Sequence, residues 1–242
     1  MITLRDNALR ALSKLAFAAL AAAALTACGG GDGGASTPST TEFPLAAGFA
    51  SYLSTPSTQN FKVAGTVNIN GTSADFSGSG TFRQTSPVAA TFENKTARLA
   101  VQSINGTVLA AGQSAPLSAT VNLYTDINSA FVGSSVGSSS YMVVTSAPTL
   151  PATARVGAKG LWYQGTIYSN SSKLVTLGTN MVEYSIEGES ETTALLKFNI
   201  TQSVGGKTQH TTAVNRITTS GTVTRITEGG DVEGGRAIYT YE

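Results

Sequence analysis

The sequence predicts an all-β protein in which antiparallel hairpins build one or more sheets, arranged as a sandwich, a barrel or a half-barrel. Three observations predict this class. Apolar and polar residues alternate with a period of two along most of the chain after residue 60. Asn-Gly pairs, which favour two-residue hairpin turns, interrupt the alternation. All seven prolines lie at or before Pro151, so the rest of the chain can form long strands.

The first 27 residues have the pattern of a secretory signal that is removed from the mature protein. Arg5, Arg10 and Lys14 precede an apolar run over residues 15–25, and small residues follow that run. The run is too short for a transmembrane helix, which needs roughly 20 apolar residues. We therefore assign residues 1–27 to a signal peptide rather than to the fold.

The tetrapeptide Leu25, Thr26, Ala27 and Cys28 resembles the lipobox of bacterial lipoproteins, and Cys28 is the single cysteine of the chain. The resemblance implies cleavage before Cys28 and lipidation of that residue, including palmitate. More than one acyl chain anchors a protein firmly to a membrane. Gly29 stands where an aspartate would favour retention at the inner membrane. The resemblance therefore implies an outer-membrane lipoprotein, on the periplasmic or the surface face.

The charge balance excludes some partners. Of 15 basic and 14 acidic residues, the signal contains three basic and one acidic, so the mature chain has 12 and 13, a net charge of −1. This balance gives no electrostatic basis for binding nucleic acid. An acylated Cys28 leaves no thiol for a disulfide, so the fold must depend on packing and on the β ladder.

The chain then divides into a tether and folded sequence. Residues 28–42 are rich in Gly, Ser and Thr and predict a flexible tether. Folded sequence begins near Phe43, and Pro44 favours a short helix over about 44–53. Its apolar face would contain Leu45, Phe49, Tyr52 and Leu53.

Asn70 and Gly71 predict the first hairpin, because a two-residue turn fixes the register of its two strands. Large residues should then lie opposite small ones on one face. The expected pairs are Val67 with Ala74, Gly65 with Phe76, Val63 with Gly78, and Phe61 with Gly80.

The pattern continues towards the C-terminus. Asn105 and Gly106 predict a second turn, joining a strand over 97–101 to a short return over 107–110. Further strands are expected at 117–123, 141–145, 161–169, 173–177, 180–187, 194–202, 209–217, 223–227 and 237–241, with a flexible loop at 229–235. Pro148 and Pro151 mark a possible boundary. The chain would form β modules over 43–148 and 149–242, or one continuous β domain.

The segment 150–157, LPATARVG, is followed by a turn at Tyr168 and Ser169 and by Gly178 and Thr179 before an alternating strand. In these features the chain resembles a group of uncharacterised Ser/Thr-rich bacterial β lipoproteins. The resemblance implies no activity, and no functional residue is transferred from it.

The hairpin at 182–200 gives the most specific register prediction. Val182, Tyr184 and Ile186 alternate with polar or charged residues, and so do Leu196, Phe198 and Ile200. Only one parity places both apolar sets on one face. The symmetric pairing sets Val182 opposite Phe198, Tyr184 opposite Leu196, Ile186 opposite Ala194 and Glu183 opposite Lys197.

One sequence match suggests a serine hydrolase. Residues 133–137 fit G-x-S-x-G, with Ser135 as nucleophile, His210 as base and Glu183, Glu187, Glu189 or Glu191 as acid. That motif requires a strand followed by a helix, whereas residues 138–145 favour a strand. We therefore predict no catalytic set, and we expect His210 to lie exposed, opposite Thr201.

Cofactor and metal sites find little support in the residue pattern. Glu187, Glu189 and Glu191, or the loop at 229–235, offer oxygen ligands for a hard cation, but neither has the spacing of a calcium loop. We predict no metal and no cofactor.

Three functions remain open. We favour a non-enzymatic binding or structural module of the envelope, with an unknown protein or ligand partner. The alternatives are a carrier of lipid or another hydrophobic ligand and, less favoured, the hydrolase. An enclosed apolar cavity would indicate the carrier, and a filled core would indicate the module.

Overall fold

A computed structural model describes residues 41–69, 72–232 and 235–242. The predicted signal, Cys28, nearly all of the tether and the turn residues Asn70 and Gly71 lie outside the described residues. Within these ranges the chain forms one helix, α1 (Leu45–Ser54), and strands throughout the rest. The prediction of an all-β protein with a short helix at its start is confirmed.

The strands follow one another around a closed sheet. They are β1 (Glu42–Phe43), β2 (Ser57–Ile69), β3 (Thr72–Gln84), β4 (Val88–Phe92), β5 (Lys95–Ala110), β6 (Gln113–Thr125), β7 (Phe131–Val136), β8 (Ser140–Ser146), β9 (Ala154–Arg155), β10 (Lys159–Tyr168), β11 (Thr176–Gly188), β12 (Thr193–Val204), β13 (Lys207–Thr218), β14 (Val223–Val232) and β15 (Gly235–Tyr241).

Twelve of these strands form an antiparallel β-barrel. Every strand of the ring pairs with its neighbours along the chain, and pairing of β15 with β2 closes the barrel. Strand β4 lies outside the ring and extends the edge of β5 beyond the end of β3. Strands β1 and β9 form a separate two-stranded sheet. The barrel is therefore the arrangement adopted among those that the sequence left open.

The barrel interior contains two hydrophobic cores. We call the cluster formed by β2, β3, β5, β6, β14 and β15 the first core. The second core is formed by β7, β8 and β10–β13, together with α1, β1 and β9. The proline boundary at residues 148–151 falls between β8 and β9, and strands from both sides of it belong to the one closed sheet.

Helix α1 lies at the end of the barrel where β13 turns into β14. Its residues Leu45, Phe49 and Leu53 recur at helical spacing and are buried in the second core. Gly48 allows close approach, because a Cβ there would lie 2.7 Å from the carbonyl oxygen of Gly221. Glu42, predicted in the tether, instead lies in β1 and pairs with Arg155 through both backbone and side chain.

The predicted register of the first hairpin is confirmed at every pair. Val67 lies opposite Ala74 and Phe61 lies opposite Gly80, with the intervening pairs as expected. A Cβ at Gly80 would lie 2.7 Å from Cζ of Phe61, so the aromatic ring packs directly over bare backbone.

The predicted turn at Asn105 and Gly106 is wrong. Both residues lie inside β5, which continues without interruption to Ala110. Gly106 pairs with Gly80 across the sheet, and a Cβ at either position would collide with backbone. The glycine is thus required by close strand packing. The turn itself occurs at Ala111 and Gly112, both of which have positive φ.

The predicted pairing of β11 with β12 is correct in parity and wrong in register by two residues. Val182 pairs with Ile200 rather than Phe198, and Tyr184 pairs with Phe198. In the loop that joins the two strands, the hydroxyl of Ser190 accepts hydrogen bonds from the amides of Thr192 and Thr193. Phe198 is 3% exposed, so both apolar sets face the core as predicted.

Two further predictions fail near the C-terminus. Residues 229–232, predicted as part of a flexible loop, continue β14 and pair with β15, and Gly229 and Gly230 also pair with β13. The separate strand predicted at 173–177 does not form, since β11 begins at Thr176 and runs to Gly188. In both places glycines that suggest a break to sequence analysis are accommodated within a strand.

Candidate functional site

The residues of the proposed hydrolase are not brought together. Ser135 lies in β7, where its hydroxyl accepts a hydrogen bond from Asn122 (3.2 Å), and residues 137–139 lead into strand β8 rather than into a helix. His210 lies in β13, and β8 and β10–β12 separate the two strands in the sheet. As predicted, His210 is exposed and opposite Thr201.

Two of the three glutamates near Gly188 are paired with cations. Glu187 forms an ion pair with Lys197 at 2.5 Å, and Glu189 holds the guanidinium of Arg216 through both of its oxygens. Arg216 keeps the pKa of Glu189 below its ordinary value. Within the part of the chain that the structure describes, no group of three potential metal-ligating side chains occurs.

Large side chains fill the barrel interior in the described residues. In the first core Phe61 packs against Tyr239 at a centroid distance of 5.4 Å, and Phe82 packs against Tyr241 at 5.9 Å. In the second core Phe49 of α1 contacts Trp162 and Phe198, at 4.3 and 4.9 Å. Edge-to-face and tilted aromatic contacts at these distances are typical of a packed core.

Between the two cores lies a buried ion pair formed by Arg225 and Glu228 of β14. Residues three apart on a regular strand point to opposite faces. Here a β-bulge intervenes, because Arg225 pairs with Asn215 and Thr227 with Val214, which leaves Ile226 without an opposite residue. The bulge turns both charged side chains into the barrel, where Arg225 Nη1 donates to Glu228 Oε2 at 2.7 Å.

Aromatic side chains surround this ion pair. The hydroxyl of Tyr241 donates to Glu228 Oε2 at 2.7 Å, and Arg225 Nε donates to the hydroxyl of Tyr52 at 3.1 Å. The guanidinium lies 4.3 Å from the ring centroid of Phe82, within the range of a cation–π contact. Tyr52 belongs to α1, so the ion pair also attaches the helix to the barrel wall.

Burial changes the acidity of Glu228. Desolvation raises the pKa of its carboxyl to about 7, and it outweighs the opposing effects of Arg225 and of the hydrogen bond from Tyr241. Its oxygen Oε1 has no hydrogen-bond partner among the described residues, which removes one source of stabilisation for the anion.

A groove of about 480 Å³ runs between α1 and the start of β14, beside the ion pair. Seven of its fourteen lining residues carry a hydroxyl, and the surface between these hydroxyls is largely apolar; they are Ser51, Tyr52, Thr55, Ser57, Ser220, Thr222 and Thr224. Arg225 is the one charged residue in the lining, and it is already paired with Glu228. The groove is therefore suited to a neutral ligand with both polar and apolar parts more than to an ion.

Buried amides fix the far side of this groove. Gln84 donates its Nε2 to the carbonyl oxygens of Tyr52 (2.7 Å) and Thr55 (2.9 Å), at the C-terminal end of α1. Gln102 in turn donates to Oε1 of Gln84 at 2.7 Å. These bonds satisfy helix carbonyls that would otherwise lack partners, and they hold the helix rigidly against β3.

A second pocket, of about 350 Å³, lies where the β4–β5 hairpin folds over β7 and β8. Met142 faces the second core, so the neighbouring Tyr141 points outward. Phe92 at the end of β4 stacks between Tyr124 and Tyr141, at 4.4 and 5.1 Å. The pocket therefore opens on the outer wall of the barrel.

Glu93 holds this hairpin in place. It accepts a hydrogen bond from the hydroxyl of Tyr141 at 2.8 Å and forms an ion pair with Lys173. Although burial opposes the effect, these two contacts keep the pKa of Glu93 below its ordinary value. The contacts are stabilising ones, and no feature of the pocket points to a particular chemistry.

Sequence analysis did not find the buried Arg225–Glu228 pair. The available signal was two opposite charges three residues apart in an otherwise uncharged stretch, VTRITEGG. On a regular strand this spacing predicts opposite faces, so the pair is recognised only once the bulge is known.

Comparison of the chain with protein-family models, with curated proteins and with solved structures finds no match. Across residues 41–69, 72–232 and 235–242, no helix has the length and apolar content needed to cross a membrane.

Proposed function

We propose that this protein is a lipoprotein of the outer membrane, anchored through acylated Cys28, whose barrel is a non-enzymatic binding or structural module of the envelope. The two packed clusters inside the barrel are the observation that supports the proposal. Fully buried Phe61, Phe82, Leu117 and Tyr239 occupy the first core, and α1 occupies the second. Interior space is thus used for packing, and partners would bind on the outer surface.

The groove beside α1 is the site where we place ligand binding. It is concave, lies outside the two cores, and presents hydroxyl groups on a rigid frame that Gln84 and the buried ion pair hold in position. Sites on rigid elements bind with a smaller loss of conformational entropy than sites on mobile loops.

The anchor is tested by labelling cells of a Gram-negative host with radioactive palmitate. The chain should take up label, and Cys28→Ala should remove it, whereas Ser36→Ala in the same tether should not. Gly29→Asp should keep the label and move the protein towards the inner membrane. Absence of label in the unmodified chain would refute the anchor.

The carrier alternative is tested with a fluorescent fatty acid. A packed interior predicts no saturable binding of the probe by the barrel. Saturable binding that competes with unlabelled fatty acid would instead support a carrier of hydrophobic ligands.

A further inference from the structure

Strand β6 has a long edge with no partner. It pairs with β5 along its whole length, from Gln113 to Thr125, but with β7 only from Asn122 to Thr125. On the side that faces β7, residues 113–121 pair with no strand among the described residues. They also take part in none of the backbone hydrogen bonds that the described turns and loops form. At about 3.3 Å per residue this edge is roughly 30 Å long.

The edge exists because neighbouring hairpins differ in length. Strands β7 and β8 are short and turn at residues 137–139, whereas β5 and β6 continue past that level to their own turn at Ala111 and Gly112. The β5–β6 hairpin therefore projects above the β7–β8 hairpin, and the lateral edge of β6 is left open.

The sequence of β6 protects this edge at one position only. Its thirteen residues, QSAPLSATVNLYT, include no charged side chain, and Pro116 alone lacks a backbone donor, so the other residues of the open segment remain able to pair. Strand β13 offers a contrast. The part of β13 that precedes Thr211 does not pair with β14, and it carries Lys207. In that part the amide of His210 donates a hydrogen bond to the carboxylate of Asp231 at 3.0 Å. Proteins ordinarily blunt free edges with such charges and caps.

The open edge is complementary to itself. Ala115, Leu117 and Ala119 belong to the first core and Val121 is also buried, while Ser114, Pro116, Ser118 and Thr120 are exposed on the outer face. Antiparallel pairing of two such strands about Leu117 or Ser118 places odd positions opposite odd positions, so core faces core and outer face meets outer face. Since the segment is uncharged, no like charges are brought opposite each other.

We propose that two copies of this chain associate by antiparallel pairing of residues 113–121 of β6, so that one sheet continues from barrel to barrel. The interface is isologous, with the same segment contributed by both subunits. Main-chain hydrogen bonds supply the attraction, and the projecting β5–β6 hairpin of one copy lies above the short β7–β8 hairpin of the other.

The test uses the chain of residues 28–242 carrying Cys28→Ala, so that acylation makes no contribution. Sedimentation velocity should give a dimer in rapid or slow exchange with monomer. The variants Ser118→Lys/Thr120→Lys and Ser118→Glu/Thr120→Glu should each weaken association by at least about tenfold, because the like charges of the two copies then lie directly or diagonally opposite each other in either register. An equimolar mixture of the two variants should restore the dimer.

A matched control is Ser77→Lys/Thr107→Lys, which adds the same charges on strands paired at both edges and should leave the dimer unchanged. As a second measurement, Ser118→Cys should form an oxidised dimer and Ser77→Cys should not. Far-UV circular dichroism reports whether each variant keeps its strands. A monomeric parent chain would overturn the proposal, and so would charged variants that still dimerise. A mixture of the two charged variants that remains monomeric, or a β6 edge that pairs only with a different protein, would also contradict it.

Discussion

The two halves of the barrel bury apolar surface in different ways. In the first core, large side chains of one strand lie over glycines of the neighbouring strand, as Phe61 lies over Gly80. In the second core a helix contributes to the packing, because Phe49 of α1 contacts both Trp162 and Phe198.

The difference shows that strand alternation specifies which face is apolar but not which element packs against that face. Both halves are built from strands with the same period, and each contains one cluster of buried residues. Glycine lets large side chains lie over a neighbouring strand in the first half, whereas α1 adds its own side chains to the second.

The largest effect is expected in the second core. Phe198→Ala should lower the free energy of unfolding by about 3–5 kcal/mol, because the side chain is buried against α1 and its loss leaves a cavity. Lys197→Ala, on the outer face of the same strand, should cost less than about 1 kcal/mol. Denaturant titration measures both, and equal losses would contradict the assignment of faces.

An intermediate effect, dependent on pH, is expected at the junction of the cores. The folded-state pKa of Glu228, at about 7, lies above the ordinary value of 4.5, so its contribution to stability is fully present below pH 4.5. Between these two pKa values the unfolded chain loses the proton of the Glu228 carboxyl while the folded protein keeps it. The free energy of unfolding should therefore fall over this range by up to about 1.4 kcal/mol per pH unit.

The variant Glu228→Gln should remove this slope between pH 5 and pH 7, because it has no proton to lose there. Glu189→Gln is the matched control. Arg216 lowers the pKa of Glu189, so its contribution is lost only as the pH falls through the acid range, and the slope near neutrality should persist. An unchanged slope in Glu228→Gln would show that another group titrates.

The smallest effect is expected for close packing in the first core. Gly80→Ala should destabilise the fold by about 1–3 kcal/mol, because its Cβ would lie 2.3 Å from the carbonyl oxygen of Asn105. Gly188→Ala is the control, since a Cβ there meets only Val156, at 3.6 Å. Thermal unfolding distinguishes the two, and equal stability of both variants would show that the strands can separate at Gly80 without cost.

Local features of the fold were predictable where a short turn determined them. A two-residue turn expected at Asn70 and Gly71 allows one register only, and β2 and β3 adopt it. The alternation of apolar residues in β11 and β12 correctly predicted which residues share a face. The same dipeptide at Asn105 and Gly106 was misleading, because the glycine serves a contact with Gly80 that is distant in sequence.

The closed barrel and the groove depend on contacts that no local pattern reveals. Pairing of β15 with β2 joins the two ends of the described chain, and the sequence therefore left sandwich and barrel open. Beside the groove, Arg225 follows the register set by the bulge at Ile226 and donates a hydrogen bond to Tyr52 of α1. A bulge inserts one residue and so reverses the faces of the residues that follow it. The alternation of apolar and polar residues does not show where such an insertion occurs.

Closure by β15 also imposes an order on folding. The residues that complete the ring, such as Arg236 opposite Thr66, are among the most widely separated in sequence, so the chain must pay a large loop-closure entropy before it gains this contact. Until then, β2 and the strand before β15 each present an open edge. We expect slow folding for this barrel, and a chain cut before residue 235 should retain two edges able to pair with other chains.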